Sequence, residues 1–184
     1  MNTYTAWRIA GVAVLGAVLL FAYSDMSPSV TSEADRKFIE EMIPHHEGAI
    51  AMAEIALVRS TSSDVLALSR GIIEAQTKEI NDMRTWYRAW FGVEVPEGGG
   101  AMHGMHGAIE MRGMEGDLDA LVGAENFDRE YLSQMIVHHE MAVMMGRMLA
   151  VSTERTEMRA LADTIVASQT KEIEMMISWL SVLE

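Results

Sequence analysis

Two stretches of the chain share one pattern: "MIPHHEGAIAMAE" from Met42 and "MIVHHEMAVMMGRM" from Met135. Each carries a His-His pair, His45-His46 and His138-His139. Met42 lies four residues before His46, and Met135 four before His139. Met52 lies seven residues after His45, and Met145 seven after His138. Thioether sulfur is soft and neutral and a poor ligand for Mg, Ca or Zn. Thioether together with imidazole suits Cu(I), and also Ag(I). These pairs use four of the chain's six histidines; the other two, His103 and His106, sit in "MHGMHG", preceded by Met102 and Met105. Met fills gaps in cores, but a Gly-rich stretch has no gap to fill, so "MHGMHG" reads as a flexible capture site for a soft cation.

The elements that position these groups follow from hydrophobic spacing. A shift of 93 residues, the distance from His45 to His138, aligns the two halves without a gap. Phe38 meets Tyr131, Gln76-Thr77-Lys78-Glu79-Ile80 meets Gln169-Thr170-Lys171-Glu172-Ile173, and Trp86 meets Trp179. Matches so far apart indicate a duplication. In the first copy Phe38, Met42, His45, Ala49, Met52 and Ala56 recur at helical spacing, and "STSSD" (60–64) follows as a turn. Val65, Leu68, Ile72, Gln76, Ile80, Met83 and Tyr87 make the stripe of a second helix, expected over about Asp64 to Phe91. The second copy repeats this with Tyr131, Met135, His138, Ala142, Met145 and Leu149, the turn "STERT" (152–156), and Leu161, Ile165, Gln169, Ile173, Met176 and Leu180. Met141, Met144 and Met148 extend its first stripe.

Two hairpins with apolar faces must cover each other, so the expected fold class is all-α: a four-helix bundle built from two duplicated helical hairpins, with an N-terminal apolar helix. The expected hairpins are 32–92 and 125–184, joined by a Gly- and Met-rich crossover over 93–124, all within one domain, 25–184. The first helix should start near Ser32-Glu33, and Pro44 inside it should bend it or cost a hydrogen bond. Adjacent helical residues differ by about 100°, so His45 and His46 both flank the apolar side, as do His138 and His139. Buried imidazoles need partners. Gln76, Gln169 or backbone could supply them; a metal ion would satisfy several at once. Glu47 and Glu140 fall on the polar side and read as solvated or paired. Glu79 and Glu172 each follow a Lys and read as members of surface ion pairs.

Composition narrows the setting. The net charge of −13 repels phosphate backbones, so nucleic acid is an unsuitable partner. With 49% hydrophobic residues, 184 residues can bury a core. There are 17 methionines and no cysteine, which removes disulfides, thiolate sites and Cys nucleophiles. Soft-metal binding outside the cytoplasm favours Met, because Cys oxidises or cross-links there. Residues 1–24 read as a signal peptide or membrane anchor: Arg8 precedes the uncharged run Ile9 to Tyr23, and Asp25 follows. Either alternative makes the rest exported, periplasmic or extracytoplasmic, soluble or tethered to the membrane through 9–23.

At "MIPHHEGAIAMAE" and "MIVHHEMAVMMGRM", each followed about thirty residues on by "QTKEI", the chain resembles the exported domain-of-unknown-function family 305. The resemblance covers about Ser32 to Leu183. It implies a ferritin-like four-helix bundle and an association with copper binding and copper tolerance in bacterial envelopes. Carried over, the positions are Met42, His45, His46 and Glu47, and Met135, His138, His139 and Glu140. Val137 departs from the pattern by replacing Pro.

The function expected is copper scavenging, buffering or delivery, with copper ion (Cu(I) favoured) as the bound species and no catalytic turnover. The expected ligands are His45, His46, Met42, Met52, His138, His139, Met135, Met145, Met102, His103, Met105 and His106. Two alternatives stand beside it. A ferritin-like metal oxidase needs inward carboxylates and Glu-x-x-His pairs, and the chain has no Glu-x-x-His. A membrane-tethered assembly subunit would use the same faces to contact a second copy or an envelope protein partner.

Overall fold

The structure is a computed structural model that describes residues 30–97 and 116–183. Within them lie α1 (Val30–Arg59), α2 (Ser63–Phe91), α3 (Leu118–Gly123), α4 (Phe127–Ser152) and α5 (Thr156–Leu180). The N-terminal apolar helix and most of the crossover, with Met102, His103, Met105, His106, Met111 and Met114, lie outside the described residues. Among the described residues no helix is long and apolar enough to cross a membrane.

Local chemistry sets the helix ends. Ser62 caps α2, its Oγ accepting from the Val65 N–H at 3.4 Å. Gly92, at φ 71°, ends α2 by donating its N–H to the Arg88 carbonyl at 3.0 Å. Asn126 caps α4 through the Arg129 N–H at 3.2 Å. α1 starts at Val30, earlier than expected, and runs as one helix through Pro44. The proline forfeits its own bond to the Glu40 carbonyl without ending the helix. The crossover differs from a plain loop: Asp117 caps α3 through the Ala120 N–H at 2.9 Å. Leu121 of α3 is fully buried, and Arg59 at the end of α1 donates to the Val122 and Ala124 carbonyls. A buried leucine and satisfied carbonyls make this turn of helix worth ordering.

Two apolar clusters form the core, and the duplication relates them. Phe38, Ile39 and Met42 lie in one; their counterparts Tyr131, Leu132 and Met135 lie in the other. Ala142, Met158, Leu161 and Ile165 join the first cluster, and their counterparts Ala49, Val65, Leu68 and Ile72 join the second. The start of α1 therefore packs beside the end of α4, so these helices run antiparallel and the two hairpins are related by a pseudo-two-fold axis. A duplicated hairpin presents one patch twice, and a two-fold relation lets that patch cover itself. The α1, α2 and α5 stripes are buried or half-buried as the spacing requires. The α4 stripe is narrower than expected: Met144 and Met148 are 55% and 64% exposed.

Candidate metal centre

The pseudo-two-fold axis brings the histidines together. His45, His46 and His139 are 0% exposed, and His138 1%. The His45 and His138 rings face each other across α1 and α4, with centroids 3.7 Å apart and planes tilted by 40°. His46 and His139 flank them, each 6.3 Å from its chain neighbour's ring. The four imidazoles form one layer between the two apolar clusters.

Burial pushes the His45 imidazolium well below the usual value near 6.5, and repulsion from His138, His46 and His139 lowers it further. His45 is thus the neutral base, the form that ligates metals. The unfolded chain protonates this histidine below about pH 6.5, whereas the native chain does not until far lower pH. The unfolded state then binds more protons, and stability falls as pH falls. The metal-free protein is expected to lose up to about 1.4 kcal/mol per pH unit below about pH 6.5 from His45 alone. Urea unfolding at about pH 7 and about pH 5.5 checks this, with His45→Gln giving a flatter dependence.

The ring nitrogens are unevenly partnered. His46 Nε2 lies 2.7 Å from Glu79 Oε2, and His139 Nε2 lies 2.7 Å from Glu172 Oε2. His45 Nδ1 and Nε2, His46 Nδ1 and His139 Nδ1 are buried without a hydrogen-bond partner. Each such atom costs about 1–3 kcal/mol, which an ion taking several lone pairs would offset. Buried imidazole nitrogens without other partners fit a metal ion. Among the described residues no three His, Cys, Asp or Glu side chains converge as a ready-made ligand set. An ion held by these residues therefore draws on thioether sulfur or water beside imidazole.

The expected methionine ligands divide between the two sides of the histidine layer. Met42 lies in the first cluster with Met145 packed against it. Met52 and Met135 lie in the second. The crossover returns over Met52. A Cβ on Gly116, at φ +72°, would stand 2.5 Å from the Met52 sulfur, so only glycine fits there. Gln134 of α4 holds the adjacent backbone, accepting from the Asp117 N–H at 2.8 Å.

The carboxylates behave in two ways. Glu47 is exposed and pairs with Arg84 at 2.7 Å, and Glu140 is exposed, as expected of the polar side. Glu79 and Glu172 overturn the expectation of surface ion pairs. Lys78 reaches Asp82 instead, at 2.6 Å, and both glutamates turn inward onto histidines. The signal was present: His46 to Glu79 and His139 to Glu172 span the same 33 residues. Gln76 and Gln169 are buried, but their Oε1 atoms accept no hydrogen bond.

The model of one family, the domain of unknown function DUF305, matches residues 35–180. The chain belongs to the DUF305 family. Solved structures similar to this DUF305 chain include CopM in its Cu(II)-bound form, at 46% identity and TM-score 0.73, covering 82% of this chain and 97% of that one. The Cu(I)-bound form of CopM matches at 46% identity and TM-score 0.70, covering 81% and 96%. A DUF305 fragment from Deinococcus radiodurans is 28% identical, with TM-score 0.68, covering 80% of this chain and 95% of that one. No curated protein matches the sequence.

Proposed function

We propose that this DUF305 protein is an exported copper-binding protein of the cell envelope that scavenges, buffers or delivers Cu(I), with no catalytic turnover. The buried layer of imidazoles with open ring nitrogens, set between two methionine-bearing clusters, carries this reading. The similarity to CopM, solved with Cu(II), Cu(I) and Ag, supports it. The ion is cargo. Its nitrogen ligands are drawn from His45, His46, His138 and His139, no three of which converge on one point, and Met42 with Met145, and Met52 with Met135, supply sulfur from either side. "MHGMHG" (Met102, His103, Met105, His106) is the capture segment, and its chain re-enters the fold over Met52. Glu79 and Glu172 meet histidines, which favours metal binding and delivery over the oxidase alternative. Export through residues 1–24 fits the absence of cysteine beside 17 methionines.

The test is an anaerobic titration of the full-length chain with Cu(I) against a chromophoric Cu(I) chelator, with Ag(I) and Zn(II) in parallel. Capture of Cu(I) from the chelator, competed by Ag(I) and not by Zn(II), is the expected result. Failure to take Cu(I), or preference for Zn(II), would reject it.

A further inference from the structure

Two contacts stand apart from the ligand count. His46 Nε2 meets Glu79 Oε2, and His139 Nε2 meets Glu172 Oε2, each at 2.7 Å. Both rings are fully buried, while the carboxylates keep a 12% and 20% exposed edge. The pairs obey the same pseudo-two-fold relation as the clusters, so they occur once per half. A carboxylate accepts and does not donate. Each Nε2 must therefore carry the hydrogen, and in the neutral ring each Nδ1 then carries the lone pair. Those Nδ1 atoms are buried and have no hydrogen-bond partner. His45 differs, because no carboxylate meets either of its ring nitrogens to select its tautomer.

Resting on the copper-binding reading above, we infer that Glu79 and Glu172 are positioning residues, which lock His46 and His139 as Nε2–H tautomers and present Nδ1 as the metal-binding atom. A ring held by a carboxylate loses its freedom to flip and donates more strongly through its other nitrogen. His46 and His139 are thus the pre-oriented ligands of the layer, and His45 the adaptable one. Neither glutamate is itself a ligand in this assignment. The repeat of "QTKEI" in both halves then has a chemical reason: the second helix of each hairpin supplies the acceptor for the first helix's histidine.

Ring nitrogen correlation spectra of the full-length, metal-free, nitrogen-15-labelled chain read the tautomers directly, and Cu(I) competition reads affinity. Wild type is expected to show Nε2–H at His46 and His139. The double variant Glu79→Ala with Glu172→Ala should show mixed tautomers and bind Cu(I) about 10–100-fold more weakly, the usual effect of losing an outer partner. Its circular dichroism should remain helical. The double variant Glu79→Gln with Glu172→Gln keeps an acceptor oxygen and should restore the tautomer and most of the affinity. Nδ1–H rings in the wild type would overturn the assignment. So would an alanine variant that binds Cu(I) as tightly as wild type. A wild type that captures no copper would instead reject the copper reading, while the metal-free spectra would still decide the tautomers.

Discussion

A variant with His45, His46, His138 and His139 all changed to Ala is expected to lose Cu(I) capture while staying helical. The four rings form one buried layer, and three of them hold nitrogens with no other partner. Losing an outer partner of a metal ligand typically costs about 10–100-fold in affinity. Losing the four nitrogen ligands should exceed that, at about a thousandfold or more, which is about 4 kcal/mol. Anaerobic chelator competition reads the affinity, and far-ultraviolet circular dichroism reads the helix. The stability of the metal-free variant should depend less on pH than that of wild type between about pH 7 and about pH 5.5. His45 resists protonation in the fold, and alanine removes that pH penalty. Full retention of Cu(I) binding would move the site to the segment around His103 and His106 and leave the helical histidines structural.

Arg155→Ala is expected to give a large loss of stability although it lies away from the histidine layer. Asp35 on α1 is 1% exposed, and its Oδ2 lies 3.2 Å from Arg155 Nε at the start of α5. Its Oδ1 has no other partner. Arg155 also lies 4.1 Å from the Trp90 ring centroid, so one guanidinium joins α1, α2 and α5. Removing one partner of a buried pair costs about 3–5 kcal/mol. Arg155 is itself about one-third exposed, which places the expected cost at the low end, about 3 kcal/mol. For a domain of this size that lowers Tm by about 6–12 °C. Asp35 lies ten residues before His45, or about 15 Å along the helix, so Cu(I) affinity should be unchanged. The double variant with Asp35→Ala should recover part of the stability, because no charge is then left buried alone. Thermal unfolding of the single and double variants, followed by Cu(I) competition, measures both effects. A single variant as stable as wild type would show that water replaces the guanidinium at Asp35.

The duplication, the extents of the four long helices and the inward faces of all four histidines were legible in the sequence. Each depends on spacing within one segment, and helical periodicity fixes which side of a helix a residue occupies. The buried stripe of α2, from Val65 to Tyr87, matches that spacing at every position. The capping of α2 by Ser62 and the αL glycine at its end are likewise local. Tertiary packing alone decided which face meets which. The antiparallel pairing of α1 with α4 set His45 against His138 rather than apart, with the apolar faces of the two copies covering each other in both clusters. It also divided the methionines, Met42 with Met145 on one side and Met52 with Met135 on the other. The inward turn of Glu79 and Glu172 was hidden for the same reason. A lysine neighbour in sequence suggests an ion pair, but a buried imidazole across the hairpin is the partner that needs a carboxylate more. Met144 and Met148 show the converse. Their spacing continues a stripe, but they line an open groove beside Thr170 and Ile173 of α5 and stay more than half exposed. Periodicity within a segment determined the elements and the chemistry they carry, and contacts between segments far apart in the chain decided which of those groups meet.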